Sequence, residues 1–298
     1  MFTGSDVIAL RQKTGAGVLD CKKALTETNG DMDKAVDLLR EKGIATAAKK
    51  ASRIAAEGIV SAKVCGNTGA LVEVNCETDF VAKGDQYIEF VNGVVDYVLN
   101  NEVKDIDQLV ADKNEETIAA TAKIGEKISI RRFEKYLANE NGLVESYIHM
   151  GGKVGVLIEI EGCTCEKAHE LAHDLALQIA AAKPLYLDES EVPADIIEHE
   201  KEILLAQIEN DEKLKSKPDM VKENMVKGKI QKYFDENCLL RQAFIKDPSL
   251  KISAVVKASG DSMGKTLTVK RFARFEMGEG LEKKSNDFAA EVEAQMKK

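Results

Sequence analysis

The chain has no tryptophan, only four prolines and only four histidines in 298 residues. So few prolines leave little room for proline-rich linkers and fit a helix-rich chain. Four histidines offer no Ser–His–Asp arrangement for nucleophilic catalysis. No apolar run approaches the roughly 20 residues that a membrane helix needs. The opening stretch MFTGSDVIALRQKTG lacks the basic-then-apolar pattern of an export signal. Six cysteines in a chain of this length do not make a disulfide framework and suit a reducing cytosol. The expected location is therefore the cytoplasm, with no membrane contact. A net charge of −9 argues against nucleic-acid binding by the chain as a whole. Residues 1–55 run the other way, with ten Lys and Arg against seven Asp and Glu.

What is present reads as several cores, with 44% hydrophobic and 31% charged residues over a length that allows two or more domains. Residues 3 to about 52 read as small helices: one opened by Ser5 and closed near Gly15, one stopped at Asn29-Gly30, one capped by Asp31 and stopped at Gly43, then an Ala-rich connecting helix. A module this small leaves its exposed apolar residues as candidate contact surface. From Gly58 the pattern alternates with period two through EGIVSAKVCGNTGALVEVNC, a hairpin turning at Gly66 to Gly69. DQYIEFVNGVVDYVLN returns to helical spacing. EKISIRRFEKYLA reads as a strand, LVESYIHMGGKVGVLIEI as a second hairpin, and EKAHELAHDLALQIAAA as a helix stopped by Pro184. Residues 193–234 predict two charged helices broken at KSKPD, with Ile196, Ile203, Leu204 and Ile208 on the first and Val221, Met225, Ile230 and Phe234 on the second. Such a hairpin buries too little alone, so it projects from the core or pairs with a second copy of itself. ENCLLRQAFIKD, a loop and the strand KTLTVKRFARFEM follow, then a final helix capped by Ser285 or Asn286.

The two hairpins repeat. At an offset of 86 residues, Gly66, Gly69, Leu71 and Glu73 fall on Gly152, Gly155, Leu157 and Glu159. The core is thus expected to be α+β, in two related halves. The same offset sets Thr78, Asp79 and Phe80 on Thr164, Cys165 and Glu166, so a Thr is expected to cap the helix in each half. Phe80 has no counterpart. Either it folds back as a staple on its own helix, or it is held out for a partner.

Three motifs suggest chemistry and fail on context. GAGVLD lacks the third Gly and the preceding strand of a dinucleotide loop, and reads as a helix–helix turn. SGDSMGKT has Ser259 where a phosphate loop needs Gly, and a strand follows where a helix is required. Cys163, Cys165, His169 and His173 are the donor types of a zinc site, but Cys-x-Cys is not the usual clip, and His173 adjoins the core stripe of Leu171, Leu175 and Ile179. No metal, cofactor or catalytic residue is assigned, and a zinc enzyme and a general helix-binding adaptor stand as the rival readings.

Over nearly its whole length the chain resembles the elongation factor Ts family, the guanine-nucleotide exchange factors of elongation factor Tu. The resemblance rests on LRQKTGAGVLDCKKALTETNGDMDKAVDLLREKG, LVEVNCETDFVAK, IRRF, SYIH, IAAAKP and FARFEMGEGLEKKSNDFAAEV. It implies an N-terminal three-helix module of the ubiquitin-associated type with its connecting helix in 1–55. It further implies a core of 56–140 and of 141–183 with 236–278, an inserted helical hairpin at 184–235 whose dimerising role varies among members, and a C-terminal module at 279–298. By the resemblance, Thr78, Asp79, Phe80 and Val81 dislodge Mg²⁺ from GDP-bound elongation factor Tu, with Phe80 inserting between helices of its G domain. Gly15, Val18 and Leu19 match the N-terminal contact, His149 a core-loop contact, and Asp287, Phe288 and Val292 the C-terminal contact. The expected partner is elongation factor Tu, GDP-bound and nucleotide-free. Neither direct nucleic-acid contact nor covalent chemistry is expected.

Overall fold

The computed structural model describes residues 2–14 and 16–282. Its N-terminal part is α1 (Gly4–Thr14), α2 (Val18–Glu27) and α3 (Met32–Lys50). They close on Val7, Leu10, Cys21, Ala24, Leu25 and Ala35. Thr3, not Ser5, closes the first turn of α1: its N–H and hydroxyl donate to the Asp6 carboxylate at 2.7 and 2.8 Å. Asp31 caps α3, accepting from the Lys34 N–H at 3.1 Å.

Next come β1 (Glu57–Cys65), β2 (Thr68–Cys76), α4 (Asp79–Ala82), α5 (Asp85–Asn100), α6 (Ile106–Asp112), α7 (Asn114–Ile124) and β3 (Ser129–Leu137). The expected stop at Gly43 is not there, and no separate connecting helix follows: α3 runs through to Lys50. Gly43 is buried where α3 crosses α7, and a Cβ on it would sit 3.6 Å from Ala122 Cβ. The glycine thus serves a close helix approach. Arg40 pairs with Glu115 across the same crossing.

The chain continues through β4 (Gly142–His149), β5 (Val154–Glu161), α8 (Glu166–Ala182), α9 (Ala194–Asn210), α10 (Glu212–Lys215), α11 (Asp219–Asn237), β6 (Ala243–Phe244), β7 (Asp247–Lys251), α12 (Ile252–Met263) and β8 (Thr268–Glu276). The class is α+β, with twelve α-helices among the described residues and small antiparallel sheets. Helix α12 and the β6–β7 ribbon replace the loop expected before the last strand. Helix α12 buries Ile252 and Val256 and ends at left-handed Gly264. SGDSM is therefore helix, not a phosphate-binding loop.

Two of the sheets have three strands each. One has the order β1-β2-β3, the other β4-β5-β8, all antiparallel. The register of each breaks at the same repeat position, Glu73/Val74 in one and Glu159/Ile160 in the other. Sheet one packs on α5 through Val72, Val74, Val91 and Val94, and sheet two packs on α8 through Val156, Ile158, Leu171 and Leu175. Between the sheets lies a shared core of Val60, Leu71, Tyr136, Val144, Leu157 and Phe275.

Two glycines allow the sheets to meet. A Cβ on Gly69 would lie 2.5 Å from Val144 Cγ1 and 2.8 Å from Leu157 Cδ1; on Gly155 it would lie 2.4 Å from Val60 Cγ1 and 2.8 Å from Leu71 Cδ1. The buried carboxylates cross-link the same seam. Glu73 accepts from Arg131 at 2.9 Å, Arg132 at 2.6 Å and the Gly278 N–H at 2.8 Å. Glu159 accepts from Arg271 at 2.6 Å. Arg132 and Arg271 also stack on rings of the opposite sheet, Arg132 over Phe275 at 4.3 Å and Arg271 over Tyr136 at 4.1 Å.

Helices α9 and α11 form a separate cluster around Ile208, Val226, Ile230 and Phe234. Ile203 and Val221, expected inside, are exposed instead, because Ile197 and Val226 fill the contact. The break falls at Asp211, which caps the short α10, and again at Pro218. The pair is fastened at its base, where the Leu185 and Tyr186 N–H groups donate to the Asn237 carbonyl at 2.9 and 3.1 Å.

Gly155→Ala forces a methyl into a filled seam and lowers stability by about 1–3 kcal/mol, read as a shifted urea midpoint. Gly93→Ala, in α5 with open space around its Cβ, raises stability by about 0.5–1 kcal/mol in the same assay.

Candidate functional site

The junction after β2 is built around Thr78. Its backbone is extended, its hydroxyl accepts from the Val81 N–H at 3.4 Å, and it N-caps the single turn of α4. The Thr78 N–H and hydroxyl donate to the Glu126 carboxylate at 2.9 and 2.7 Å, and the Glu77 N–H donates to it at 3.0 Å. Glu77 returns the bond by accepting from the Lys127 N–H at 2.8 Å, and its other near neighbour is Arg53 at 3.3 Å. Two carboxylates from two segments thus fix the turn from both sides. Beneath it the Cys76 thiol donates to the Thr78 carbonyl at 3.2 Å, and burial pushes that thiol up to about 12.

On this base the four residues divide. Ala82 is buried and Val81 packs on the half-one core. Asp79 is half-buried and pairs with Lys83 at 2.8 Å, one helical turn on; that hydrogen bond holds its carboxyl below the usual range, with Lys153 adding to the effect. Phe80 points away from the core and is 84% exposed. It is not a staple on its own helix. The chain closes behind it through the Lys83 and Gly84 N–H groups, which donate to the Phe80 and Val81 carbonyls at 3.3 and 2.9 Å.

The second half is built differently at the equivalent point. Helix α8 starts at Glu166 and runs unbroken, whereas the first half makes α4, stops at Lys83-Gly84 and restarts as α5. Thr164 does not cap α8. The N-cap is Cys165, which makes no side-chain cap bond. With no carboxylate anchoring Thr164 as Glu126 anchors Thr78, the chain passes into the helix one residue later.

His149 ends β4, exposed, its Nδ1 at 2.9 Å from the Tyr147 hydroxyl. The turn after it includes Met150, 73% exposed in left-handed backbone at φ 49. This turn leans on β1: the Val60 N–H donates to the Gly152 carbonyl at 2.8 Å, and Lys153 pairs with Glu57 at 3.2 Å. Glu57 sits opposite Cys76 in the β1–β2 register. The structure therefore brings the His149 turn and the Thr78–Val81 turn to one end of the core. Val18 and Leu19 lie in the first turn of α2, 49% and 72% exposed, on the N-terminal helices. Gly15, Asp287, Phe288 and Val292 lie outside the described residues.

The four candidate zinc donors do not converge. His169 Nδ1 faces Glu145 at 3.2 Å, His173 packs edge-on against Tyr147, and only the two thiols meet. Among the described residues no group of three or more His, Cys, Asp and Glu is arranged to hold a metal ion, and no helix is long and apolar enough to cross a membrane. Glu126 is the functional residue that sequence reasoning missed. It anchors Thr78 from 48 positions along the chain, and no local pattern marks such a contact.

Comparison with known proteins adds an independent line. The family model described as Elongation factor TS matches residues 77–279. A Clostridium perfringens protein named Elongation factor Ts is 47% identical over 305 residues, covering 98% of this chain and 98% of that protein. One from Symbiobacterium thermophilum with the same name is 50% identical over 298 residues, covering 98% and 97%. One from Halothermothrix orenii is 45% identical over 304 residues, covering 98% of each.

Because Phe80 touches little, Phe80→Glu, which copies the residue of the second half, changes unfolding free energy by no more than about 0.5 kcal/mol. Glu126→Ala frees three donors at the turn and costs about 1–3 kcal/mol. Urea denaturation of both variants beside the parent checks the contrast.

Proposed function

This chain belongs to the elongation factor Ts family, and we propose that the Thr78–Val81 turn is the element through which it acts. The chain is a guanine-nucleotide exchange factor for elongation factor Tu in translation elongation, a binding role with no covalent step. That role places it in the cytoplasm. The observation that carries the assignment of the turn is the exposure of Phe80 on a base that is fixed from two sides.

The turn works as a wedge on elongation factor Tu–GDP. Phe80 inserts between helices of the partner's G domain. Asp79, held by Lys83, extends the contact, Thr78 and Glu126 hold the base, and Val81 ties it to the core. Mg²⁺ keeps its phosphate ligands only in near-ideal octahedral geometry, so a small displacement of a partner helix loosens ion and nucleotide together. Burying one Phe side chain contributes about 1.5–3 kcal/mol. Each tenfold weakening of nucleotide needs about 1.4 kcal/mol of coupling. Phe80 alone therefore supplies about one to two decades.

Larger acceleration draws on further contacts. Gly15, Val18 and Leu19 on a ubiquitin-associated-like module meet the same G domain, His149 meets the partner from the core loop, and Asp287, Phe288 and Val292 form the C-terminal contact. The core, in this reading, is two related halves, 56–140 and 141–183 with 236–278. The inserted hairpin at 184–235 is the surface available to a second copy of the chain.

Phe80→Ala folds and still binds elongation factor Tu, but slows catalysed GDP release about tenfold to a hundredfold in stopped-flow with a fluorescent GDP. An unchanged rate removes Phe80 from the mechanism. Leu19→Asp raises the Kd for elongation factor Tu roughly tenfold in a calorimetric titration, without altering the urea midpoint.

A further inference from the structure

Cys163 and Cys165 lie in the loop between β5 and α8. This is the far end of β5 from the His149 turn, and a strand of eight residues at about 3.4 Å each separates the two ends. Cys163 Sγ is 2.6 Å from Cys165 Sγ, and the Cys165 N–H donates to Cys163 Sγ at 3.2 Å. The two thiols are already in contact. A third sulfur, Met263 Sδ at the end of α12, is 3.3 Å from Cys165 Sγ.

The chemistry of the pair differs from that of the other cysteines. Cys165 is exposed and Cys163 half-buried. Cys165 N-caps α8, its carbonyl accepting from the Ala168 and His169 N–H groups at 2.9 and 3.2 Å. The Cys163 thiol, followed by the backbone N–H of Ala168, holds the Cys165 thiol below its ordinary value. Cys76 and Cys238 go the other way, pushed by burial up to about 12 and about 11. Cys21 is also buried, and Cys65 is exposed on β1.

We propose that Cys163 and Cys165 form a redox dithiol that small-molecule disulfides oxidise reversibly to an intrachain disulfide. The Cys165 thiolate attacks one sulfur of the small disulfide, the S–S bond breaks, and one small thiolate leaves. Cys163 then attacks the Cys165 sulfur of the mixed disulfide, forms the Cys163–Cys165 bond and expels the second small thiolate. The two protein thiols lose two electrons, the small disulfide gains them, and the two protons pass to the departing thiols.

Trypsin cutting after Lys153 and Lys167 isolates residues 154–167, with Cys163 and Cys165 as the peptide's only cysteines. The reduced full-length protein is incubated with oxidised glutathione, acid-quenched, alkylated and digested for mass spectrometry. The expected result is a 154–167 peptide lighter by two hydrogens, carrying no alkyl group and restored by dithiothreitol. In the same sample Cys65 carries glutathione. In Cys163→Ser the second step is lost, and Cys165 retains glutathione. A parent 154–167 peptide that holds stable glutathione, or remains fully alkylated once Cys65 has reacted, overturns the proposal.

Discussion

Glu73 has no exposed side-chain surface, and separate segments of the chain converge on its carboxylate. Arg131 and Arg132 arrive from β3, and the Gly278 N–H arrives from the stretch after β8, more than 200 residues away. A buried carboxylate is costly unless its oxygens are filled, so this one fixes where β3 and the end of β8 can lie. Arg132, held by Glu73, covers Phe275 of the other sheet, while Arg271, held by Glu159, covers Tyr136. The two halves are thus joined by charge at the strands and by ring contact across the seam, with Gly69 and Gly155 leaving the space.

The two three-stranded sheets each lead into a helix, and the two strand-to-helix junctions are built differently. After β2, Glu126 and Glu77 brace a short extra turn from which Phe80 projects into solvent. In the second half α8 begins directly, and the loop before it holds two thiols. The brace stands apart from the Phe it supports. Part-buried hydrogen bonds under Thr78 hold the turn, and the Phe80 ring stands in solvent.

Much of this was legible in the chain because it depends on local periodicity. The first hairpin, the α5 stripe of Tyr87, Phe90, Val91, Val94 and Val98 and the Asp31 cap follow from neighbours in sequence. The misses depend on tertiary contact. Gly43 reads as a stop until α7 is seen against it, the stretch before the last strand reads as a loop until α12 packs on α8, and Thr164 reads as a cap although Cys165 holds that position. At the site, the exposure of Phe80 was one of two open readings. Glu126 was not among them, since its partners lie in a distant segment.

In the proposed wedge, Phe80 carries coupling between nucleotide and partner rather than affinity alone. Coupling is reciprocal: if this chain weakens GDP, GDP must weaken the chain's hold on elongation factor Tu by the same factor. The most direct measurement is the Kd for elongation factor Tu with and without saturating GDP, for the parent chain and for Phe80→Ala. The ratio of the two Kd values is expected to fall by about ten- to a hundredfold in the variant. A ratio equal to that of the parent, even with weaker binding overall, would contradict it.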